Sequence, residues 1–419
     1  MNRSANRIWR QMKKKAGAEK LNNTDRGRKE KKKKGLVRFL PDPADYISES
    51  TARLLTTYDF VTILLVTGLV LFGVVMVFSA GYYSTTNLSK PDPYYFLKKE
   101  GEFAIMGFII MFLMARWDYH KCAKYYKQYL YISIFLLILV LTPVGRNVNG
   151  ATRWIYIGPV NITPSEITKV AMIIFTAAFL AKDPSRATDF SKGILPLLAL
   201  TGIQAAMIIK QPNLSTAMVI VFIVVGMLII GGFPWKYVGG VVAAGVAGII
   251  FILAFLPNSH WYSRLTNFID PFKNSQGEGY QVSQSLIALG NGGLKGLGLG
   301  NSVTKNLYLP EPQNDFILAI IGEELGFVGI FLLMLAYLFL IKRCFVIAAK
   351  APDKLGMFLA SGVGIMLGVQ VLMNIAVVTA SMPATGVTLP FVSYGGTSII
   401  VFMAAMGIVL NISRKEDLK

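Results

Sequence analysis

From Tyr58 to Ile412 the chain is a series of apolar blocks, many close to bilayer-crossing length, separated by short polar breaks. A helix rises about 1.5 Å per residue, so crossing about 30 Å of hydrocarbon takes about 20 apolar residues. Inside lipid every backbone N–H and C=O must be paired within the protein, and long apolar blocks meet that demand as helices. Charged residues make up only 16% of the chain and the mean hydropathy is +0.51. A soluble domain carries about 25% charged residues. One large soluble core and a disordered chain are both excluded. The chain reads as an all-α polytopic membrane protein with about ten transmembrane helices and a long extracellular loop between the seventh and eighth.

The expected spans lie near residues 58–80, 103–115 (extended at its start by 94–100), 129–141, 164–181 and 194–209, then 214–230, 237–256, 316–341, 355–378 and 391–412. Basic residues set their direction. Residues 1–50 hold 15 Lys/Arg against 6 Asp/Glu, including the run from Lys31 to Lys34. A basic tail before a first span marks the cytoplasmic side and suits anionic lipid headgroups better than nucleic acid. No cleavable secretory signal is readable at the start. An even span count returns the end of the chain, with Arg414, Lys415 and Lys419, to the same side. The expected organisation is a cytoplasmic tail over 1–50, a membrane domain over 51–414 that includes the outer loop 257–314, and a cytoplasmic C-terminus over 415–419. A helix is expected over 283–289, ended by the glycines of 290–300, which lack the strand-loop-helix setting of a nucleotide site. Two cysteines and two far-separated histidines suggest neither a disulfide scaffold nor a metal cluster.

Ionisable groups inside apolar spans are costly and mark function. Glu166 and Lys169 are three residues apart and share a helix face. They are either a self-neutralising structural pair or a paired site facing a polar cavity. Asp315 directly precedes the apolar run Phe316-Ile317-Leu318. It is placed either to cap that helix or to act as a general base at headgroup depth. Glu323 lies about 12 Å further along such a helix, too far to be assumed the second member of a carboxylate dyad. Outer-loop cations, among them Arg146, Arg153, Arg264, Lys295 and Lys305, suit a dense anion such as a pyrophosphate. Gln204, Lys210, Gln211 and Asn213 add polarity at the outer end of the fifth span, and Gln370 and Asn374 read as polar glue within the ninth.

Several motifs together carry a resemblance. Asn149-Gly150-Ala151-Thr152-Arg153-Trp154-Ile155 precedes Pro164-Ser165-Glu166-Ile167-Thr168-Lys169, and Gln211-Pro212-Asn213-Leu214-Ser215-Thr216 follows. Leu309-Pro310-Glu311-Pro312-Gln313-Asn314-Asp315 leads into Glu323-Glu324-Leu325-Gly326, and the last motif runs from Pro383 to Ser398. In these the chain resembles the shape, elongation, division and sporulation (SEDS) family over 58–414, most like its cell-division branch in Gram-positive bacteria, with the rod-shape and sporulation branches close by.

The resemblance implies a peptidoglycan glycosyltransferase that joins lipid II units at the outer membrane face and releases undecaprenyl pyrophosphate. It implies a bacterial plasma-membrane protein of the division septum. Its implied partners are a class B penicillin-binding protein and other division proteins. It implies Asp315 as the main catalytic residue, Glu166 and Lys169 as the functional buried pair, and Arg153 and Arg264 near the pyrophosphate. With the polar residues above, the expected substrate contacts are Arg153, Arg264, Lys305, Gln211, Asn213 and Ser393. No tightly bound cofactor is expected. A divalent cation, Mg2+ or Mn2+, could assist the leaving group, although no metal cage is readable. Two positions depart from the family: Asn213 and Ser215 stand where an aspartate and a glycine are frequent, and Gln313-Asn314 where His-Thr is frequent. A required carboxylate at the first and a histidine base at the second are therefore in doubt. A lipid II transporter and a non-catalytic division scaffold are the rival readings.

Overall fold

The computed structural model describes residues 58–85, 92–148, 151–157, 160–255, 268, 270–273 and 279–414. The expected basic tail over 1–50, the C-terminal 415–419 and much of the outer loop, Arg264 included, lie outside the described residues. The helices are α1 (Phe60–Gly81), α2 (Tyr95–Arg116), α3 (Tyr119–Lys124), α4 (Tyr126–Val140), α5 (Pro164–Lys182), α6 (Leu195–Ile209), α7 (Leu214–Ile230), α8 (Trp235–Phe255), α9 (Tyr280–Gly292), α10 (Ile317–Ala349), α11 (Lys354–Val378) and α12 (Gly396–Ser413). Among the described residues six helices are long and apolar enough to cross a membrane: α1, α5, α6 with the π-helical turn before it, α10, α11 and α12. The chain is thus a mostly helical, polytopic membrane protein. The short helix expected over 283–289 is the centre of α9.

One departure from an all-helical reading matters for the site. The segment between α4 and α5 forms a three-stranded antiparallel sheet, β1 (Gly145–Val148), β2 (Ala151–Ile157) and β3 (Val160–Ile162), with β2 in the middle. Trp154 pairs with Arg146 and Ile155 with Ile162 across it. The sheet is tied to α12: Thr163 N donates to Thr397 Oγ1 at 3.2 Å, and Thr397 Oγ1 donates to Asn161 O at 2.7 Å.

Helix starts follow local chemistry. Asp59 caps α1 by accepting from Thr62 N at 3.1 Å, and Arg343 on α10 clasps the same carboxylate. Pro164 opens α5, where its missing N–H costs nothing. Asn213 caps α7 through Thr216 N at 3.2 Å. At α10 the expected aspartate cap is not formed. The cap position falls on Phe316 and carries no side-chain bond, so Asp315 sits outside the helix.

The glycine-rich run after α9 has a structural task. Gly326 interrupts α10 with φ at 66°, a left-handed conformation that glycine alone adopts without strain. The run docks into this break. Leu297 N and Gly298 N donate to Glu323 O and Glu324 O, each at 2.9 Å, and Phe327 N donates back to Gly293 O at 2.9 Å. The backbone groups released by the break are thereby paired inside the protein. A Cβ at Gly292 or Gly296 would overlap the α10 backbone. The two glutamates complete the lock. Glu323 accepts from Ser302 Oγ, from Thr304 Oγ1 at 3.0 Å and from Asn291 Nδ2 at 3.2 Å. Glu324 pairs with buried Lys305 at 2.7 Å and accepts from Ser79 Oγ on α1 at 2.7 Å.

At the far end of the bundle His120 joins two helix caps. Its Nδ1 meets Asp118 at 2.9 Å and its Nε2 meets Asp353 at 2.6 Å, while Asp353 also caps α11 through Gly356 N at 2.7 Å. Burial acts to lower the imidazole pKa, but the bonds to Asp118 and Asp353 outweigh it and raise the value above its ordinary 6.5.

Two predictions follow from these contacts. Gly296→Ala should lower stability by roughly 2 kcal/mol or more, because it adds a clash to a positive φ. Gly290→Ala, which has open space around it within α9, should be neutral or stabilising by up to about 1 kcal/mol. Thermal unfolding in detergent separates the two, and equal effects would contradict the docking. A raised folded-state pKa means that the His120 contribution is complete below the unfolded value and fades as pH rises through the folded one. The Tm gap between the unsubstituted chain and His120→Asn should therefore be wider near about pH 5.5 than near about pH 8.5.

Candidate active site

A cavity of about 820 Å³ opens between the sheet, the N-terminal halves of α5 and α12, the α6–α7 turn, the segment before α10 and the loop after α11. It lies at the opposite end of the helices from His120: α12 contributes Thr397 and Ser398 here, and Asn411, which bonds Tyr119 N at 3.0 Å, stands at the other end.

Sequence reasoning placed five residues that line this cavity: Arg153, Glu166, Lys169, Asn213 and Asp315. They arrive on four different supports, with Glu166 and Lys169 sharing α5. Arg153 projects from β2, and its guanidinium donates to two carbonyls of the α6–α7 turn, Gln211 O at 3.3 Å and Pro212 O. Lys169 is 1% exposed, pairs with Glu166 one turn earlier on α5 at 2.8 Å, and donates to Gln370 Oε1 on α11 at 2.7 Å. It also lies 5.1 Å over the Phe402 ring. The Glu166–Lys169 pair is both neutralised and cavity-facing, so the two expected readings describe one arrangement.

Asp315 stands where the chain leaves the loop and enters α10. Its carbonyl accepts from Asn374 Nδ2 at 2.8 Å, and the same nitrogen donates to Val387 O at 2.7 Å. Gly386 sits between the charged groups: a Cβ there would lie 3.0 Å from Arg153 Nη1 and 3.1 Å from Asp315 Oδ2. The guanidinium and the carboxylate therefore come within about 6 Å of each other. A side chain at 386 would occupy the space where they converge.

The remaining expected contacts lie elsewhere. Lys305 is buried in its pair with Glu324, and Ser393 accepts from Leu389 N at 2.7 Å; neither lines the cavity. Gln211 has a buried side chain and offers Arg153 only its carbonyl. These residues build the frame rather than the wall. The structure adds wall residues that sequence reasoning missed. Trp154, Tyr156, Phe103 and Tyr394 supply aromatic faces, while Asn161, Thr163, Thr397 and Ser398 supply hydroxyl and amide groups. The motif from Pro383 to Ser398 was the signal for Tyr394, Thr397 and Ser398, but a motif alone assigns no orientation.

The arrangement offers a carboxylate, a nearby guanidinium, a buried ammonium and aromatic planes around a space large enough for sugar rings. Anion charge can be met by Arg153 and Lys169, and a hydroxyl proton by Asp315. Among the described residues no group of three or more His, Cys, Asp or Glu side chains forms a metal cage. The burial of Lys169 makes the pair asymmetric. Glu166→Gln should cost about 3 kcal/mol, because it strands a buried ammonium. Lys169→Met should cost less, and the double substitution should recover most of the Glu166→Gln loss. Additive losses in thermal unfolding would show that the pair is not coupled.

Comparison with known proteins places this geometry. The pattern of the FtsW/RodA/SpoVE cell cycle proteins matches residues 59–418. The chain is 38% identical to the probable peptidoglycan glycosyltransferase FtsW of Geobacter sulfurreducens, covering 85% of this chain and 95% of that one. It is 39% identical to stage V sporulation protein E of Bacillus subtilis, covering 86% and 98%. Among solved structures it resembles a chain from a peptidoglycan synthase complex that coordinates polymerization and crosslinking, with a TM-score of 0.69 at 28% identity over 85% of this chain and 97% of that one. It also resembles the rod shape determining protein RodA of Thermus thermophilus, with a TM-score of 0.60 at 28% identity over 86% and 98%. With the match running through every cavity-lining element, the chain belongs to the FtsW/RodA/SpoVE family of cell cycle proteins, the SEDS family.

Proposed function

We propose that this chain is a peptidoglycan glycosyltransferase that polymerises lipid II into glycan strands for the bacterial cell wall. The observation that carries the reading is the convergence of Asp315 and Arg153 on Gly386 in a cavity that also receives the Glu166–Lys169 pair. The donor is a disaccharide-peptide whose anomeric carbon is bonded to undecaprenyl pyrophosphate. Asp315 removes the proton from the acceptor sugar hydroxyl as that oxygen attacks the anomeric carbon. The carbon–oxygen bond to the pyrophosphate breaks, and the leaving group departs with the electron pair. Arg153 and Lys169 meet its negative charge, Glu166 holds Lys169 in place, and Asn213 donates from the cavity wall. No covalent enzyme intermediate is needed. A divalent cation, Mg2+ or Mn2+, would add charge neutralisation at the pyrophosphate.

The ten-span topology belongs to the same proposal. In it α2, α4, α7 and α8 also cross the membrane, both termini are cytoplasmic, and 257–314 is the outer loop. The domain division at 1–50, 51–414 and 415–419 follows from it. The cavity then faces outward, where the polymer is needed. A class B penicillin-binding protein that crosslinks the product is the proposed partner, within the division machinery at the septum, and the basic tail meets anionic lipid or a cytoplasmic division protein. Resemblance to a chain of a peptidoglycan synthase complex supports that pairing.

Glycan formation from purified lipid II, with a cognate class B penicillin-binding protein whose transpeptidase is inactivated, tests the reading. Asp315→Asn should lower polymerisation by about 10²- to 10⁴-fold, the usual contribution of a general base. A folded, partner-bound Asp315→Asn chain that polymerises at the normal rate would refute the assigned base. Substrate movement across sealed vesicles without polymer would favour a transporter. Undisturbed division with the substituted chain would favour a scaffold.

A further inference from the structure

Two buried amides on α11, one helical turn apart, reach the two chemical halves of the cavity. Gln370 is 1% exposed and Asn374 is fully buried. Gln370 Oε1 accepts from the Lys169 ammonium at 2.7 Å, while its Nε2 donates to Thr388 O at 3.1 Å. Asn374 Nδ2 donates to Asp315 O at 2.8 Å and to Val387 O at 2.7 Å. One helix face thus ties down α5, the segment that enters α10 and the loop at 387–388. Polar side chains within membrane bundles usually act as glue between helices. One of the four bonds here does join two helices, and the other three reach non-helical backbone. One holds an ammonium that faces the cavity, one holds the peptide of the cavity carboxylate, and two hold the loop that carries Gly386 between Arg153 and Asp315.

The residue type fits the task. A neutral amide is the side chain that accepts from a cation with one atom and donates to a carbonyl with its neighbour. A carboxylate at 374 would face two carbonyls without a donor. An apolar side chain there would remove the donor shared by both carbonyls, at a cost in order and not only in stability. Asp315 lies outside α10, and the Asn374 bond holds its carbonyl.

We infer that Asn374 and Gln370 are positioning residues for glycosyl transfer: Asn374 sets where the Asp315 carboxylate meets the acceptor hydroxyl, and Gln370 sets the direction of the Lys169 ammonium. The inference rests on the reading of Asp315 as the base. Neither amide lies at the reacting atoms in this assignment. Each acts through the residue that it holds, and a displacement of about 1 Å at a reacting group can cost about 100-fold in rate.

The test compares kcat and KM for lipid II polymerisation by the full chain with its transpeptidase-inactivated partner. Asn374→Ala, Asn374→Asp, Gln370→Met and Gln370→Glu are measured beside Asp315→Asn, with rates normalised to the folded fraction. Asn374→Ala and Asn374→Asp should each lower kcat by about 10- to 100-fold while KM stays within about two-fold, the signature of a misplaced transition-state group. Gln370→Glu keeps an acceptor for Lys169 and Gln370→Met does not, so the Glu variant should be the more active. A role in packing alone gives the reverse order, since a buried apolar methionine is tolerated better than a second carboxylate.

Full kcat in a folded Asn374→Ala chain, or a methionine variant that outperforms the glutamate one, would overturn the inference. If Asn374→Ala does not fold, the near-isosteric Asn374→Asp carries the same expectation. If neither folds, Asn374 is a structural residue and its part of the inference falls. Asp315→Asn keeps the two claims separate. Normal polymerisation by Asp315→Asn removes the base assignment. An inactive Asp315→Asn beside a fully active Asn374→Ala removes only the positioning inference.

Discussion

The fold depends on one constraint, that backbone which leaves the helical path inside a membrane must be paired by protein. A cavity with chemistry at its wall requires such departures; two of the three described here border this one, and the third interrupts α10. The break at Gly326 is filled by the glycine run, whose N–H groups take the carbonyls of Glu323 and Glu324. The segment that leads into α10 is held through Asn374. The loop between α11 and α12 is held by Gln370, Asn374 and Ser393, and by Tyr337, whose hydroxyl donates to Pro390 O. The first tether is backbone, and those of the other two departures are buried polar side chains. Losing one strands a carbonyl or an N–H where no water replaces it.

Buried charge follows the same logic with two different outcomes. The Lys305–Glu324 pair is almost fully enclosed and ties the loop to α1 and α10. The Glu166–Lys169 pair has a similar length, yet Glu166 remains 12% exposed and both residues border the cavity. A wholly enclosed pair fixes structure. A pair at the edge of a polar space can also answer the charge of a ligand.

Much of the architecture was legible because hydropathy reports the bilayer directly. The apolar blocks fall on helices, and the later boundary of α7 at Ile230 and of α11 at Val378 were read without shift. The chemistry of the cavity was legible in part. Buried or boundary charges are rare enough that Asp315, Glu166 and Lys169 stood out, Arg153 read as an outer-loop cation that the resemblance placed near a pyrophosphate, and Asn213 read as a polar group at the end of a span. Three features were not legible. The strands of the sheet are three to seven residues long and are set by pairing with one another and by Thr397, which no local pattern states. Asp315 has the residue type of a helix cap, yet the cap position falls on Phe316 and the Asp315 carbonyl is held by Asn374, a tertiary contact that no local pattern states. Lys305 looked like an outer-loop cation for a pyrophosphate, because sequence records a charge without recording that Glu324 faces it nineteen residues later.

In the proposed reaction one cavity brings the attacking sugar to Asp315 and the leaving pyrophosphate to Arg153 and Lys169. A structure of the full chain and its partner with lipid II bound tests this most directly. The account predicts pyrophosphate oxygens in contact with the Arg153 guanidinium and an acceptor hydroxyl within hydrogen-bond reach of the Asp315 carboxylate. Substrate bound elsewhere on the protein, with this cavity empty of sugar and phosphate, would contradict it.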